Sequence, residues 1–261
     1  MLPALLLLLQ SAVPAVDKPL PTLHELQFEE CLTLARNDPP SAVMEANMWV
    51  QQDGGYLAKA CHGLALANDF RFAEAGPVFI EAAKGADSKN DGRAARFWAQ
   101  AGNAYIASGM LSDALSALDT AIKSPTPTSP ERADIEVDRA RALVGLNRSD
   151  EAVTALNGAR QLSPENPTAW LLSATLARRM NALTDALAYI QTAATLAPRD
   201  AAVALEAGNI AIAAGDEGAA RKQWEQTVKI APNGRLATTA QAQLAALGTA
   251  QTPAAPPTQS R

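Results

Sequence analysis

Three short stretches, "QLSP" ending at Pro164, "TLAP" ending at Pro198 and "KIAP" ending at Pro232, repeat one pattern at one spacing. The prolines lie 34 residues apart both times, because 198 − 164 equals 232 − 198. Proline lacks an N–H and its ring clashes with the turn before it, so each one ends a helix. A stop repeated at a fixed period implies a stack of like units, none of which can bury its apolar face alone.

The rest of each unit keeps the same register. In the last unit Ala207-Gly208 is followed by Ala211, Ala220, Trp224, Thr227 and Pro232. One period earlier the slots hold Ser173-Ala174, Ala177, Ala186, Ile190, Ala193 and Pro198, and before that Arg139-Ala140, Leu143, Ala152, Leu156, Ala159 and Pro164. Upstream the pattern continues with insertions: Trp98, Ala101-Gly102, Tyr105, Ala114, Leu118 and Ala121, and earlier His62-Gly63, Leu66, Ala75, Phe79 and Ala82. A Gly or Ala on one helix lets the next approach closely, and the bulky residue four places after the second small slot shares its face and fills the space. No segment alternates at period two, and the alanine bias with only 5% aromatics suits helices in close contact.

These slots resemble the tetratricopeptide repeat, whose signature is W-x2-L-G-x2-Y, then A-x3-F, then P, over 34 residues. "WAQAGNAYIASGMLSDALSALDTAI" shows W-x2-A-G-x2-Y and A-x3-L. The resemblance implies an all-α fold, a right-handed α-α superhelix of helix-turn-helix repeats, with five repeats over residues 56–234. Residues 16–55 then hold a linker and a degenerate N-terminal repeat. In it "LHELQFEECLTLARND" offers Leu23, Leu26, Phe28, Cys31, Leu32 and Ala35 as candidate buried positions, and "PPSAVMEANMWVQQ" supplies the partner helix. "GRLATTAQAQLAALG" reads as a capping helix over 235–248 with a polar outer side, and 249–261 as a disordered tail rich in proline.

"MLPALLLLLQSAVPAVD" combines a short apolar run with small residues before Val16, which predicts a signal peptide over 1–15. It lacks a Lys or Arg ahead of the run, and it is short for a bilayer span. The expectation is an exported chain in a bacterial periplasm, with no integral membrane span after cleavage. Cys31 and Cys61 are the two cysteines. As buried thiols they would be small hydrophobes, whereas in an exported chain an even count points to a disulfide. The resemblance sets them on the first helices of successive units, where a bridge would staple the N-terminal end.

A net charge of −5 with no basic run excludes a nucleic-acid footprint. The two histidines, His24 and His62, lack metal-ligand spacing, and His62 falls in a core slot of the repeat. Adjacent Glu29 and Glu30 point apart on a helix, and neither a phosphate loop nor a nucleophile turn occurs. The expectation is a protein without catalytic residues, metal or cofactor. The resemblance instead directs attention to the concave wall, where Asn103, Arg141, Thr175, Arg178, Arg179 and Asn209 would bind a peptide of a partner protein. Leu64, Arg96, Val137, Leu171, Leu205 and Ile212 lie nearby. Asparagine suits a peptide backbone and arginine an acidic group, although Arg141, Arg178 and Arg179 would equally serve as solvated helix residues. The lysines of the carboxylate-clamp subtype are absent, their places held by Ala60, Ala99, Val137, Leu171 and Leu205. The rival readings are an assembly component of the envelope docking by its convex face or its "SPTPTSP" loop, and a cytoplasmic adaptor.

Overall fold

The computed structural model describes residues 20–124 and 128–250. All the regular elements among them are helices: α1 (Leu23–Asn37), α2 (Pro39–Gln51), α3 (Gly55–Asn68), α4 (Phe72–Ser88), α5 (Ala94–Ser108), α6 (Leu111–Lys123), α7 (Ser129–Gly145), α8 (Ser149–Leu162), α9 (Pro167–Arg179), α10 (Leu183–Leu196), α11 (Ala201–Ala213), α12 (Glu217–Ile230) and α13 (Arg235–Ala250). They pair in chain order as six antiparallel hairpins, each packed on the next, with α13 closing the C-terminal end. The protein is an α-solenoid. The expected signal peptide, the middle of the "SPTPTSP" loop and residues 251–261 lie outside the described residues. Residues 249 and 250, expected in the tail, belong to α13.

The packing follows the small-residue register. Ala75, Ala114, Ala152, Ala186 and Ala220 are each fully buried, and the plug residues Phe79, Leu118, Leu156, Ile190 and Trp224 are buried beside them. Where the facing slot is glycine, a Cβ would strike the plug itself. It would lie 2.9 Å from Phe79 at Gly63, 2.5 Å from Leu118 at Gly102 and 2.4 Å from Trp224 at Gly208. Ala140 and Ala174 take the same slot opposite Leu156 and Ile190.

The turn inside each repeat is also one device used five times. The N–H groups of Arg71, Met110, Arg148, Ala182 and Asp216 reach back to the carbonyls of Leu66, Tyr105, Leu143, Ala177 and Ala211, at 2.8–2.9 Å. That bond requires a left-handed residue one place earlier. Gly109, Asn147, Asn181 and Gly215 meet the requirement readily, whereas the first turn places Phe70 there at φ 61°.

Between repeats, the turn around Pro164 is held by side chains. Asn166 accepts from the N–H groups of Thr168 and Ala169 to cap α9, and Trp170 Nε1 donates to the Pro164 carbonyl at 2.7 Å. The Arg160 guanidinium sits 5.1 Å from the Trp170 ring centroid and 4.3 Å from that of Tyr189. Its contact with both rings ties α8, α9 and α10 together, and burial there pushes its pKa down from the ordinary arginine value.

At the N-terminal end Phe28 and Ala35 are buried as expected, and Cys31 and Leu32 pack against the core. Leu23 and Leu26 are instead exposed, at 78% and 49%. They lie on the side of α1 opposite Phe28 and Ala35, and among the described residues no hairpin precedes α1 to cover them. Cys31 of α1 and Cys61 of α3 form a disulfide, with Cα atoms 6.1 Å apart. Tyr56, Asp91 and Arg93 add a polar clasp: Arg93 bonds Asp91 at 2.6 Å, and the Tyr56 hydroxyl donates to the same carboxylate. The guanidinium holds the Asp91 carboxyl well below the usual carboxylate range.

Because the bridge closes a loop of 30 residues, its reduction should lower stability by about 3–4 kcal/mol in the chain-entropy account. In a nearest-neighbour solenoid that loss stays local. Hydrogen exchange with and without reductant should therefore show faster opening of α1 and α2, with α9 to α12 unchanged.

Candidate functional site

First helices of successive hairpins touch: α1 packs on α3, α5 on α7, α7 on α9, and α9 on α11. No pair of second helices among the described residues packs to the same extent. The first helices therefore form the inner, concave wall, and the slots after the small residue project from it.

Three recesses open in sequence along this wall. The first, of about 120 Å³, lies among α1, α3 and α5 and is lined by Phe28, Leu32, Leu64 and Phe97 with Arg93 and Arg96 at its rim. The second, of about 300 Å³, lies between α5 and α7 and shares Arg93, Arg96 and Gln100 with the first. Asn103 stands on one of its sides, and Glu131, Asp134 and Asp138 on the other. The third, of about 190 Å³, lies between α7 and α9 over Ala140, Val144, Leu172 and Leu176, and Arg141, Thr175 and Arg179 border it.

Four of the six residues expected on the concave wall thus line recesses: Asn103, Arg141, Thr175 and Arg179. The other two do not. Arg178 Nε donates to Glu206 Oε1 at 2.7 Å, and Asn209 Nδ2 donates to Glu206 Oε2 at 3.2 Å. Asn209 Oδ1 also accepts from Trp224 Nε1 at 3.2 Å, so both ends of that amide are used inside the fold. Thr175 donates its hydroxyl to the Leu171 carbonyl at 3.0 Å and keeps its acceptor capacity.

Two buried carboxylates that the sequence reading passed over decide what the arginines do. Asp138 and Glu206 occupy one repeat slot two periods apart and are 8% and 7% exposed. Arg141 bonds Asp138 within its own helix, and Asn103 of α5 bonds the same carboxylate. Arg178 pairs with Glu206 across the seam between α9 and α11. Neither arginine is the free cation that recognition of an acidic group would use. Arg179 is exposed and makes no ion pair among the described residues. At the rim Arg96 pairs with Glu131 at 2.8 Å, which holds that carboxyl below its ordinary value. The missed signal was present in the sequence, since Asp138 stands three residues before Arg141 and Glu206 three before Asn209.

His62 is half-buried, and burial lowers its pKa. Glu29 and Glu30 are exposed. Among the described residues no group of His, Cys, Asp and Glu is arranged to hold a metal ion, and no helix is long and apolar enough to cross a membrane.

The family model described as tetratricopeptide repeat matches residues 99–167, 137–201 and 171–235. The chain belongs to the tetratricopeptide repeat family. Solved structures with the same fold include PilF of Pseudomonas aeruginosa, at 17% identity and a TM-score of 0.67 over 84% of this chain and 97% of that one. YrrB, described as a tetratricopeptide protein with an unusual peptide-binding site, aligns at 18% identity and a TM-score of 0.52 over 75% and 96%. The Cut9–Hcn1 hetero-tetramer of APC/C aligns at 15% and 0.66 over 86% of this chain and 42% of that one. No curated protein sequence matches the chain. The family's helical-hairpin surface is suited to protein–protein interaction, and its members are generally non-catalytic scaffolds.

Burial raises the pKa of Asp138, with Arg141 and Asn103 acting against the shift. An acid whose folded pKa lies above its unfolded value near 3.9 costs stability as pH rises between the two. The cost is full above the folded pKa and absent below the unfolded one. Asp138→Asn should remove it, so urea titrations from pH 4 to 8 should show the variant gaining on the parent protein as pH rises through that window. A difference that does not vary with pH would mean that Asp138 is not the strained carboxylate described.

Proposed function

We propose that this chain is a non-catalytic scaffold that holds an extended segment of a partner protein along its inner wall. The observation that carries the reading is the line of three recesses between successive first helices, each with an apolar floor and a polar rim. First helices spaced at roughly 8–10 Å give α1, α3, α5, α7 and α9 a combined width that an extended segment of about ten residues would cross. Asn103 and Thr175 offer bonds to its backbone. The apolar floors at Phe97 and Leu172 offer seats for alternate side chains. That the same fold carries a peptide-binding site in YrrB is consistent with this.

Prior pairing of Arg141 and Arg178 shifts the chemistry away from acidic tails. A segment with apolar anchors and one basic residue fits better, because Asp134 on the second recess bonds only the Asn166 amide and no cation among the described residues. The Cys31–Cys61 bridge supports an exported location, since such bridges persist in oxidising compartments. On this reading the chain works in a bacterial envelope, and a mature N-terminus at Val16 in the periplasmic fraction is the result to expect.

A photo-crosslinking residue placed singly at Asn103, Thr175, Ser116 or Thr154 tests the binding surface in cells. The first two lie on the inner wall, and the last two are exposed on second helices. Crosslinks to a partner polypeptide should form from 103 and 175 and not from 116 or 154. Crosslinks confined to 116 and 154 would instead favour the convex docking component.

A further inference from the structure

The first repeat breaks the rule that the other four obey. Its left-handed turn position is filled by phenylalanine, where the equivalent residues are Gly109, Asn147, Asn181 and Gly215. An aromatic residue at positive φ is strained, and such outliers persist where the side chain has a use. Phe70 is also 81% exposed, and it meets Phe72 edge-on with ring centroids 6.1 Å apart. The two rings make an apolar knob on the edge of the solenoid. Beside it Arg71 faces both Glu74, at 2.6 Å, and Asp69, at 4.0 Å, which leaves the loop with one net negative charge.

At the other end of the chain, the outer layer opens into a slot of about 400 Å³ between α10 and α12. Its floor is the alanine back of α11, including Ala207 and Ala211, and its sides include Leu187, Ala194, Gln191 and Gln223. Asp200 is the one charged residue among those lining it. Next to Asp200 at the same end, Arg199 is exposed and makes no ion pair among the described residues. The Asp200 carboxylate is taken up by the N–H groups of Ala202 and Val203 at the start of α11, so a slot with small-residue walls and Arg199 at that end complements an aromatic knob with a net negative charge.

We propose that the Phe70–Phe72 knob of one copy seats in the α10–α12 slot of a second copy, with Arg199 facing the acidic knob loop. Knob and slot are different surfaces at opposite ends of the chain, so the contact is heterologous and joins copies head to tail. A contact of this size is weak, with a dissociation constant on the order of 10–100 µM. Its occupant does not depend on the inner wall, which stays open for a partner segment.

Sedimentation equilibrium of the purified chain from about 5 to 500 µM tests this, spanning the expected dissociation constant. The average mass should rise with concentration beyond twice that of the monomer. Phe70→Asn, which places the residue of the third and fourth repeats in the strained turn, should remain monomeric. Its thermal midpoint should nevertheless rise by roughly 2–4 °C, because asparagine tolerates the turn. Ala194→Arg, on an exposed position of the slot, should also stay monomeric. Mixed at equal concentration, the two variants should form a heterodimer and nothing larger, since one keeps the slot and the other the knob. Asn103→Ala should associate like the parent protein, which separates this contact from the inner-wall reading. A parent chain that stays monomeric throughout, a Phe70→Asn variant that still associates, or a mixture that fails to pair would each overturn the proposal. So would Phe70-dependent sedimentation with phosphatidylcholine vesicles in place of self-association, because the knob would then belong to a lipid surface.

Discussion

The close approach of two helices at a small residue is the constraint on which the structure depends. In each repeat a buried alanine on the second helix and a Gly or Ala on the first bring the backbones together, and one bulky side chain fills what remains. Interiors packed to crystal-like density do not absorb an added methylene easily. The same slot therefore fixes the helix separation in all five repeats, and the separation fixes where the residue after it points. Asn103, Arg141, Thr175 and Asn209 are inner-wall residues because each follows Gly102, Ala140, Ala174 or Gly208.

The wall carries more internal pairing than its list of charged residues suggests. Asp138 and Glu206 are buried, and burial of an unpaired carboxylate is costly. Each carboxylate has a guanidinium beside it, and each has an asparagine as a further donor. The outcome is a groove whose polarity is largely settled before any partner arrives. Asp134 and Arg179 remain as groups without an ion pair among the described residues. A partner segment would meet apolar floors and a few directed polar groups, a combination suited to positioning a backbone more than to attracting a strongly charged tail.

The period, the hairpin order and the core were legible in the sequence because they are one-dimensional: a slot recurs at 34 residues or it does not. The degenerate first unit was legible through the amphipathic spacing of Phe28, Leu32 and Ala35. Exposure of Leu23 and Leu26 was not, because a helical face is apolar whether or not a neighbour covers it. The site was half legible. Register placed Asn103, Arg141, Thr175 and Arg179 on the recesses, and the three-residue spacing of Glu206 and Asn209 was open to view, but the pairing of Arg178 with Glu206 depends on a contact across the seam between α9 and α11. Phe70 was visible as a departure from Gly and Asn in the turn register, yet its meaning required the backbone angle. The pairing of Arg178 with Glu206 is a contact between units, whereas the slots legible in the sequence are a pattern within one.

Urea unfolding of Ala152→Leu beside Thr154→Leu tests the close-contact account most directly. Both sit on α8, with Ala152 fully buried against the first helix and Thr154 exposed. The account predicts a loss of about 1–3 kcal/mol or more for Ala152→Leu and a change within roughly 0.5 kcal/mol for Thr154→Leu. Equal midpoints for the two variants would contradict it, because the helices would then have room that the register denies them.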